Sequence, residues 1–289
     1  MKEKQAKEIL IFSMIIFATI GIIVHYISIP PSVIALTRGF IGSVFLIFFV
    51  FMTKKNINGK AIQRNGKILF ISGILIGMNW VFLFSAYTYT TVAKATLCYY
   101  LAPIFMVLLS VFLLRKEKLS FQKGICIFLS LLGMILISGV LGEQSSELGD
   151  FKGIIFGVGA AFCYACVILL NQYLQEISSY DRTIVQLGVA SIVLLPYTLF
   201  TENLAEISFS PFSIFILLLL GIFHTGITYA MYFSCIQYIK TQTIAIFSYV
   251  DPIVAILLSA LILHENIGLS GLIGAILILG STLASEFIS

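Results

Sequence analysis

The chain has 289 residues, of which 60% are apolar or aromatic and 10% charged, with a formal net charge of +4 and a mean hydropathy of +1.07. Soluble domains carry about 25% charged residues, so a chain this poor in charge cannot cover a water-facing surface. The composition excludes a soluble enzyme, and the small positive balance, confined mostly to loops, points to no nucleic-acid partner.

Apolar stretches long enough to cross a hydrocarbon core are expected at 9–29, 33–52, 68–88, 92–114, 122–141, 151–173, 183–201, 212–235, 241–263 and 267–286. The basic then apolar start, MKEKQAKEIL, resembles a signal peptide, but it runs on into ISIPPS without a small-residue cleavage site. It reads as a retained first span. Ten spans leave both termini on one side. Of the 17 Lys and Arg, only Lys94 and Lys152 fall on the other side and Arg38 falls inside a span, leaving fourteen with the termini. The positive-inside rule therefore predicts a multi-pass protein of the cytoplasmic membrane with both termini cytoplasmic.

The phrase CYYLAPIFMVLLSVFLLRKEK at 98–118 returns as FSYVDPIVAILLSALILHEN at 247–266. A shift of 149 places Pro103 on Pro252, Tyr100 on Tyr249 and Ser110 on Ser259; upstream it places Gly77 on Gly226, Phe84 on Phe233 and Ser85 on Ser234. Downstream, a shift shorter by two carries Gly124 to Gly271 and Gly133 to Gly280. Leucine matches are cheap in this composition; Pro, Gly, Ser and Tyr in register are not. The expected fold is therefore an all-α integral membrane protein of ten transmembrane helices, with two five-helix repeats at 1–143 and 144–289. Five spans is an odd number, so the second repeat enters the membrane inverted. Inverted repeats mark secondary transporters, with the substrate site near the midplane between the repeats.

This pattern resembles the EamA type of the drug/metabolite transporter superfamily. The features that carry the resemblance are the prolines early in spans four and nine, the apolar runs to Glu117 and Glu265, and a glycine-punctuated closing helix. The family often has Gly before that Glu, where this chain has Lys116 and His264. The resemblance implies transport, often export, of small polar metabolites such as amino acids and their relatives. It does not choose among them.

Several residues could carry that chemistry. A proline inside a helix removes a hydrogen bond and opens the preceding turn, which makes Pro103 and Pro252 candidate hinges or kinks. Asp251 is an intramembrane carboxylate and a functional candidate by default, either for a substrate ammonium or a coupling proton; the first half has Ala102 there instead. It shares a helical face with Thr243, Phe247 and Ala255. Arg38 either snorkels to the interface or meets a substrate carboxylate, and its second-half counterpart is Gln186. Lys94 is either interfacial or part of the site. His224, beside Thr225 and Thr228, is a second proton-coupling candidate or a satisfied interhelical partner. Among many packing aromatics, Tyr100 and Tyr249 flank the paired prolines and are expected to contact substrate, with Trp80 and Asn79 of span three beside them. Cys163 and Cys166 form a CxxC on a helix without a second pair or histidine, which reads as packing. Gly73-xxx-Gly77 and Gly153-xxx-Gly157 read as close helix contacts.

The chain has no phosphate-binding Gly-rich loop with Lys, no HExxH and no soluble cofactor domain, so an integral-membrane enzyme is the weaker reading. No metal or cofactor is called for. The partners expected are a small-molecule metabolite, the lipid bilayer and a coupling proton, and the sequence leaves a homodimer open. The leading expectation is alternating-access transport of an amino-acid-like metabolite, with export of cationic amines or drugs as the alternative.

Overall fold

A computed structural model describes residues 2–112, 121–137, 148–236, 238–239, 244, 247–266 and 268–287. Among these, every regular element is a helix. In chain order they are α1 (Glu3–His25), α2 (Pro31–Met52), α3 (Gly59–Arg64), α4 (Gly66–Tyr89), α5 (Val92–Tyr99), α6 (Ala102–Phe112) and α7 (Phe121–Ile137). There follow α8 (Leu148–Asn171), α9 (Ser179–Thr201), α10 (Pro211–Leu218), a π-helix (Leu219–Ile227), α11 (Thr228–Ile236), α12 (Val250–Ile262) and α13 (Gly268–Phe287).

Among the described residues, seven segments are long and apolar enough to cross a bilayer. Shorter apolar helices at Gly124–Ile137, Val250–Ile262 and Gly268–Ala284 lie where spans five, nine and ten were expected. The outer faces carry Phe200, Phe121 and Phe51 at 91%, 85% and 78% exposure. Such surfaces suit hydrocarbon, where each helix satisfies its own backbone hydrogen bonds.

Helices α2, α4, α8 and α9 form the centre, with α4 packed on α8 and α9, and α2 on α9 and the π-helix. Helix α1 lies on α11 and α12, and α7 pairs with α13. Glycines set several of these distances. A Cβ at Gly73 would stand 2.7 Å from Val189, and one at Gly133 would stand 2.7 Å from the Gly274 carbonyl oxygen.

Both proline kinks fall at matched places. Span four breaks at Tyr100 and Leu101, between α5 and α6 and just before Pro103. In span nine a turn at Tyr249 caps α12, which then contains Pro252. A proline supplies no N–H and disfavours helical geometry in the residue before it, so the turn ahead of each is the weak point.

Candidate functional site

The two breaks bring their tyrosines together, with the rings tilted by 47°. The Tyr100 hydroxyl donates to Asp251 Oδ2 at 2.8 Å and lies 3.4 Å from the Ser248 carbonyl oxygen. The Tyr100 and Tyr249 rings are 6.2 Å apart, and Tyr99 packs edge-on to Tyr100 and against Tyr164. Asp251, Tyr99 and Tyr100 are half-buried. An aromatic collar around one carboxylate suits a cationic group, which gains from ring faces as well as from the charge.

Arg38 lies about 10 Å into α2 at about 1.5 Å per residue and is 4% exposed, so it does not snorkel to an interface. Its Nε donates to Thr225 Oγ1 at 2.7 Å, and its guanidinium lies 4.5 Å from the Trp80 ring centroid and 5.9 Å from that of Phe84. The titratable groups within its electrostatic reach include Tyr229, Tyr99, Tyr87, Asp251 and His224. The ion pairs among the described residues are Lys7–Glu3, Arg64–Glu176 and Lys94–Asp150. Arg38 and Asp251 therefore share one interior region, and neither is neutralised by a direct salt bridge.

The other candidates divide. Trp80 joins the site as the platform under Arg38. Asn79 is buried and donates to the Ala160 carbonyl oxygen at 2.7 Å, which ties α4 to α8. Gln186 donates to Ser72 and Asn171, both at 2.7 Å, and likewise holds helices together. His224 is buried, with Nε2 2.9 Å from Thr19 Oγ1 and Nδ1 3.3 Å from the Leu219 carbonyl oxygen. Both ring nitrogens thus have protein partners. Glu117, Lys116 and Thr243 lie outside the described residues.

Lys94 is away from the tyrosine collar. Its Nζ is 2.7 Å from Asp150 Oδ2, and Asp150 also accepts from the Thr90 hydroxyl. Glycines allow the approach: a Cβ at Gly153 would fall 2.7 Å from Thr90, and one at Gly157 2.9 Å from Cys98. At the same end the Glu265 carboxylate accepts from the backbone N–H groups of Val92 and Ala93 at 2.9 and 3.2 Å, and from the Ser259 hydroxyl. A carboxylate on the first turn of α5 satisfies donors that the helix leaves free and complements its dipole. Glu265 was singled out from the sequence as the end of the apolar run; its partner could not be read from it, because Val92 lies more than 170 residues away.

The opposite end is hollow, although it too is tied, by Asn58 to Asp181, Asn65 to Gln175 and Arg64 to Glu176. A cavity of about 580 Å³ is lined by Val50, Lys55, Ser178, Asp181, Phe233 and neighbouring residues. Val50 is about 18 Å further along α2 than Arg38. The interior polar groups therefore stand between a closed end and one that holds a cavity.

The family model described as EamA-like transporter family matches residues 8–139 and again 151–285. An uncharacterized transporter of Bacillus subtilis (strain 168), YxxF, is 32% identical over 249 residues, which cover 86% of this chain and 79% of that one. An uncharacterized transporter of Archaeoglobus fulgidus is 29% identical over 195 residues, 67% of each chain. A solved crystal structure superposes with a TM-score of 0.67 at 17% identity, covering 99% of both chains, a likeness of fold. The two matches of the family model together span most of the sequence, and this multi-pass membrane chain belongs to the EamA-like transporter family.

Proposed function

We propose that the chain is a secondary transporter that moves a small zwitterionic metabolite, an amino acid or a close relative, outward across the cytoplasmic membrane. The observation that carries this reading is that two interior groups of opposite formal charge are each met only by a neutral hydroxyl. Arg38 donates to Thr225 and Asp251 accepts from Tyr100, and neither closes a salt bridge with a described residue. An unneutralised charge inside a membrane protein is costly, and two of opposite sign are best explained by a ligand that brings both counter-charges. Asp251, with Tyr100, Tyr249 and Tyr99, takes the ammonium. Arg38, braced on Trp80, takes the carboxylate.

The mechanism proposed is alternating access by two inverted five-helix repeats, 1–143 and 144–289, bending at the breaks beside Pro103 and Pro252. The matched family-model segments and the shared register of the breaks support it. Both termini are assigned to the cytoplasm on the charge bias of the loops. The cavity beside Lys55 and Asp181 then opens inward, and the Glu265–α5 and Lys94–Asp150 contacts close the outer end. A coupling proton is assigned to Asp251 rather than to His224, whose ring nitrogens are both engaged. A second reading, a cationic amine held by Asp251 alone, is favoured by the cation–π contact of Arg38 with Trp80, which gives the guanidinium a packing role of its own.

The test is a thermal-shift screen of the purified protein against the proteinogenic L-amino acids and their decarboxylated amines, followed by flux of the hits in proteoliposomes. Stabilisation by amino acids and not by the matched amines supports the zwitterion. Stabilisation by the amines alone selects the second reading. No stabilisation and no flux by either set overturns both.

A further inference from the structure

Span eight is the one place where the described helices leave the α register for more than a turn, over Leu219–Ile227. Side chains follow the wider winding. Thr225 Oγ1 donates to the Leu220 carbonyl oxygen at 3.0 Å and Thr228 Oγ1 to that of Phe223 at 2.8 Å, each five residues back. Threonines in α-helices bond three or four residues back, as Thr37 does to Ile34 and Val33. π-helical turns are rare and concentrate where a side chain has to be redirected for function.

What is redirected here is Thr225. Arg38 and Gly42 lie one turn apart on the same face of α2. A Cβ at Gly42 would fall 2.4 Å from Thr225 Cγ2, so the threonine methyl sits in the space a side chain would fill. Its hydroxyl then stands 2.7 Å from Arg38 Nε. The donation to Leu220 uses the only proton of the hydroxyl, which leaves its oxygen as an acceptor for Arg38. Gly221 and Gly226 seat the rest of the π-helix on α2, since Cβ atoms there would fall 2.5 Å from Ile41 and 2.4 Å from Phe45.

We infer that Thr225 is a positioning residue for Arg38: the π-helix turns its hydroxyl onto Nε, which holds the guanidinium over the Trp80 ring and leaves the two terminal nitrogens as a fork for a carboxylate. Nε is the one guanidinium nitrogen with a hydrogen bond to a described residue. A guanidinium pinned through Nε cannot rotate about its last side-chain bonds, so its forked edge keeps one direction, which is what bidentate recognition requires. The assignment of the fork to a substrate carboxylate rests on the zwitterion reading above; the positioning contact does not.

Trp80 is the only tryptophan in the chain, so its emission reports the placement of Arg38 without any substrate. Arg38→Gln removes the cation beside the indole and should shift the emission maximum of the purified protein. Thr225→Val keeps the shape of the side chain and removes the acceptor; it should produce a shift in the same direction, and should add nothing in the Arg38→Gln background. Thr225→Ser restores the acceptor and should restore the wild-type spectrum, which also separates positioning from general loss of packing. Wild-type emission from Thr225→Val while Arg38→Gln shifts overturns the inference. So does an Arg38→Gln spectrum identical to the wild type, because the guanidinium is then not held against Trp80, and so does failure of Thr225→Ser to rescue in a protein with wild-type thermal stability. If the coupling is found but Thr225→Val and Arg38→Gln leave amino-acid binding in the thermal-shift screen unchanged, the positioning contact stands and the zwitterion reading falls.

Discussion

Tyr100 and Asp251, 151 residues apart in the chain, meet at 2.8 Å where the two broken spans face each other. The hydroxyl donates to the carboxylate, and hydrogen bonds to charged groups contribute about 1.5–3 kcal/mol. Tyr100→Phe should therefore raise the KM for an ammonium-bearing substrate by roughly tenfold, since the carboxylate loses its orientation while the ring remains. A KM unchanged in proteoliposome flux would make the contact a packing detail.

Asp251→Asn keeps the size of the side chain and removes its charge. Transport should fall by about a hundredfold or more, given the several kcal/mol a buried charge pair commands, while the thermal midpoint without substrate stays close to wild type. If Asp251 carries the coupling proton, the variant should lose its dependence on a pH gradient yet retain substrate exchange. If it only holds the ammonium, binding itself should fail. Wild-type flux with an unchanged pH profile would reduce Asp251 to a local polar partner beside Pro252.

Arg38→Lys replaces a planar fork with a point charge. Flux of a carboxylate-bearing substrate should weaken by roughly tenfold or more, with the decarboxylated analogue unaffected. Equal loss for both compounds would mean that Arg38 acts through packing on Trp80 and Phe84.

The Glu265 carboxylate bridges α12 to the first turn of α5. A charge so placed contributes about 0.3–2 kcal/mol, enough to bias a balanced equilibrium between open and closed ends. Glu265→Ala should increase labelling of a cysteine placed at Ala102 by a membrane-impermeant thiol reagent applied from outside, in a background without the native cysteines. Labelling that does not change in Glu265→Ala would remove the glutamate from the closure.

Orientation is checked with two exposed positions. A cysteine at Asn203 should label from outside the cell and one at Asn58 should not. The reverse pattern would invert the assignment made from the Lys and Arg bias.

The sequence by itself determined the solvent, the positions of the helices and the residues to suspect. Composition and run length are local properties, so seven of the expected spans coincide with segments long and apolar enough to cross a bilayer and shorter apolar helices lie within the other three, and the prolines at 103 and 252 announced breaks that lie just ahead of them. Asp251 and Arg38 stood out because a charge in hydrocarbon is costly wherever it points, and Tyr100 and Tyr249 because they flank the paired prolines. Their partners were a different matter. That Asn79 ties down α8, that both nitrogens of His224 are engaged, that Lys94 pairs with Asp150 and that Thr225 holds Arg38 depend on which helix faces come together. Apolar packing is nearly non-directional, and in this chain the crossing points are set by glycines such as Gly42 and Gly157, whose consequences appear only when the opposite helix is in place. The π register of Leu219–Ile227 belongs with these, because the segment reads as ordinary apolar helix and its wider winding shows only in the folded chain, where it packs mainly against α2.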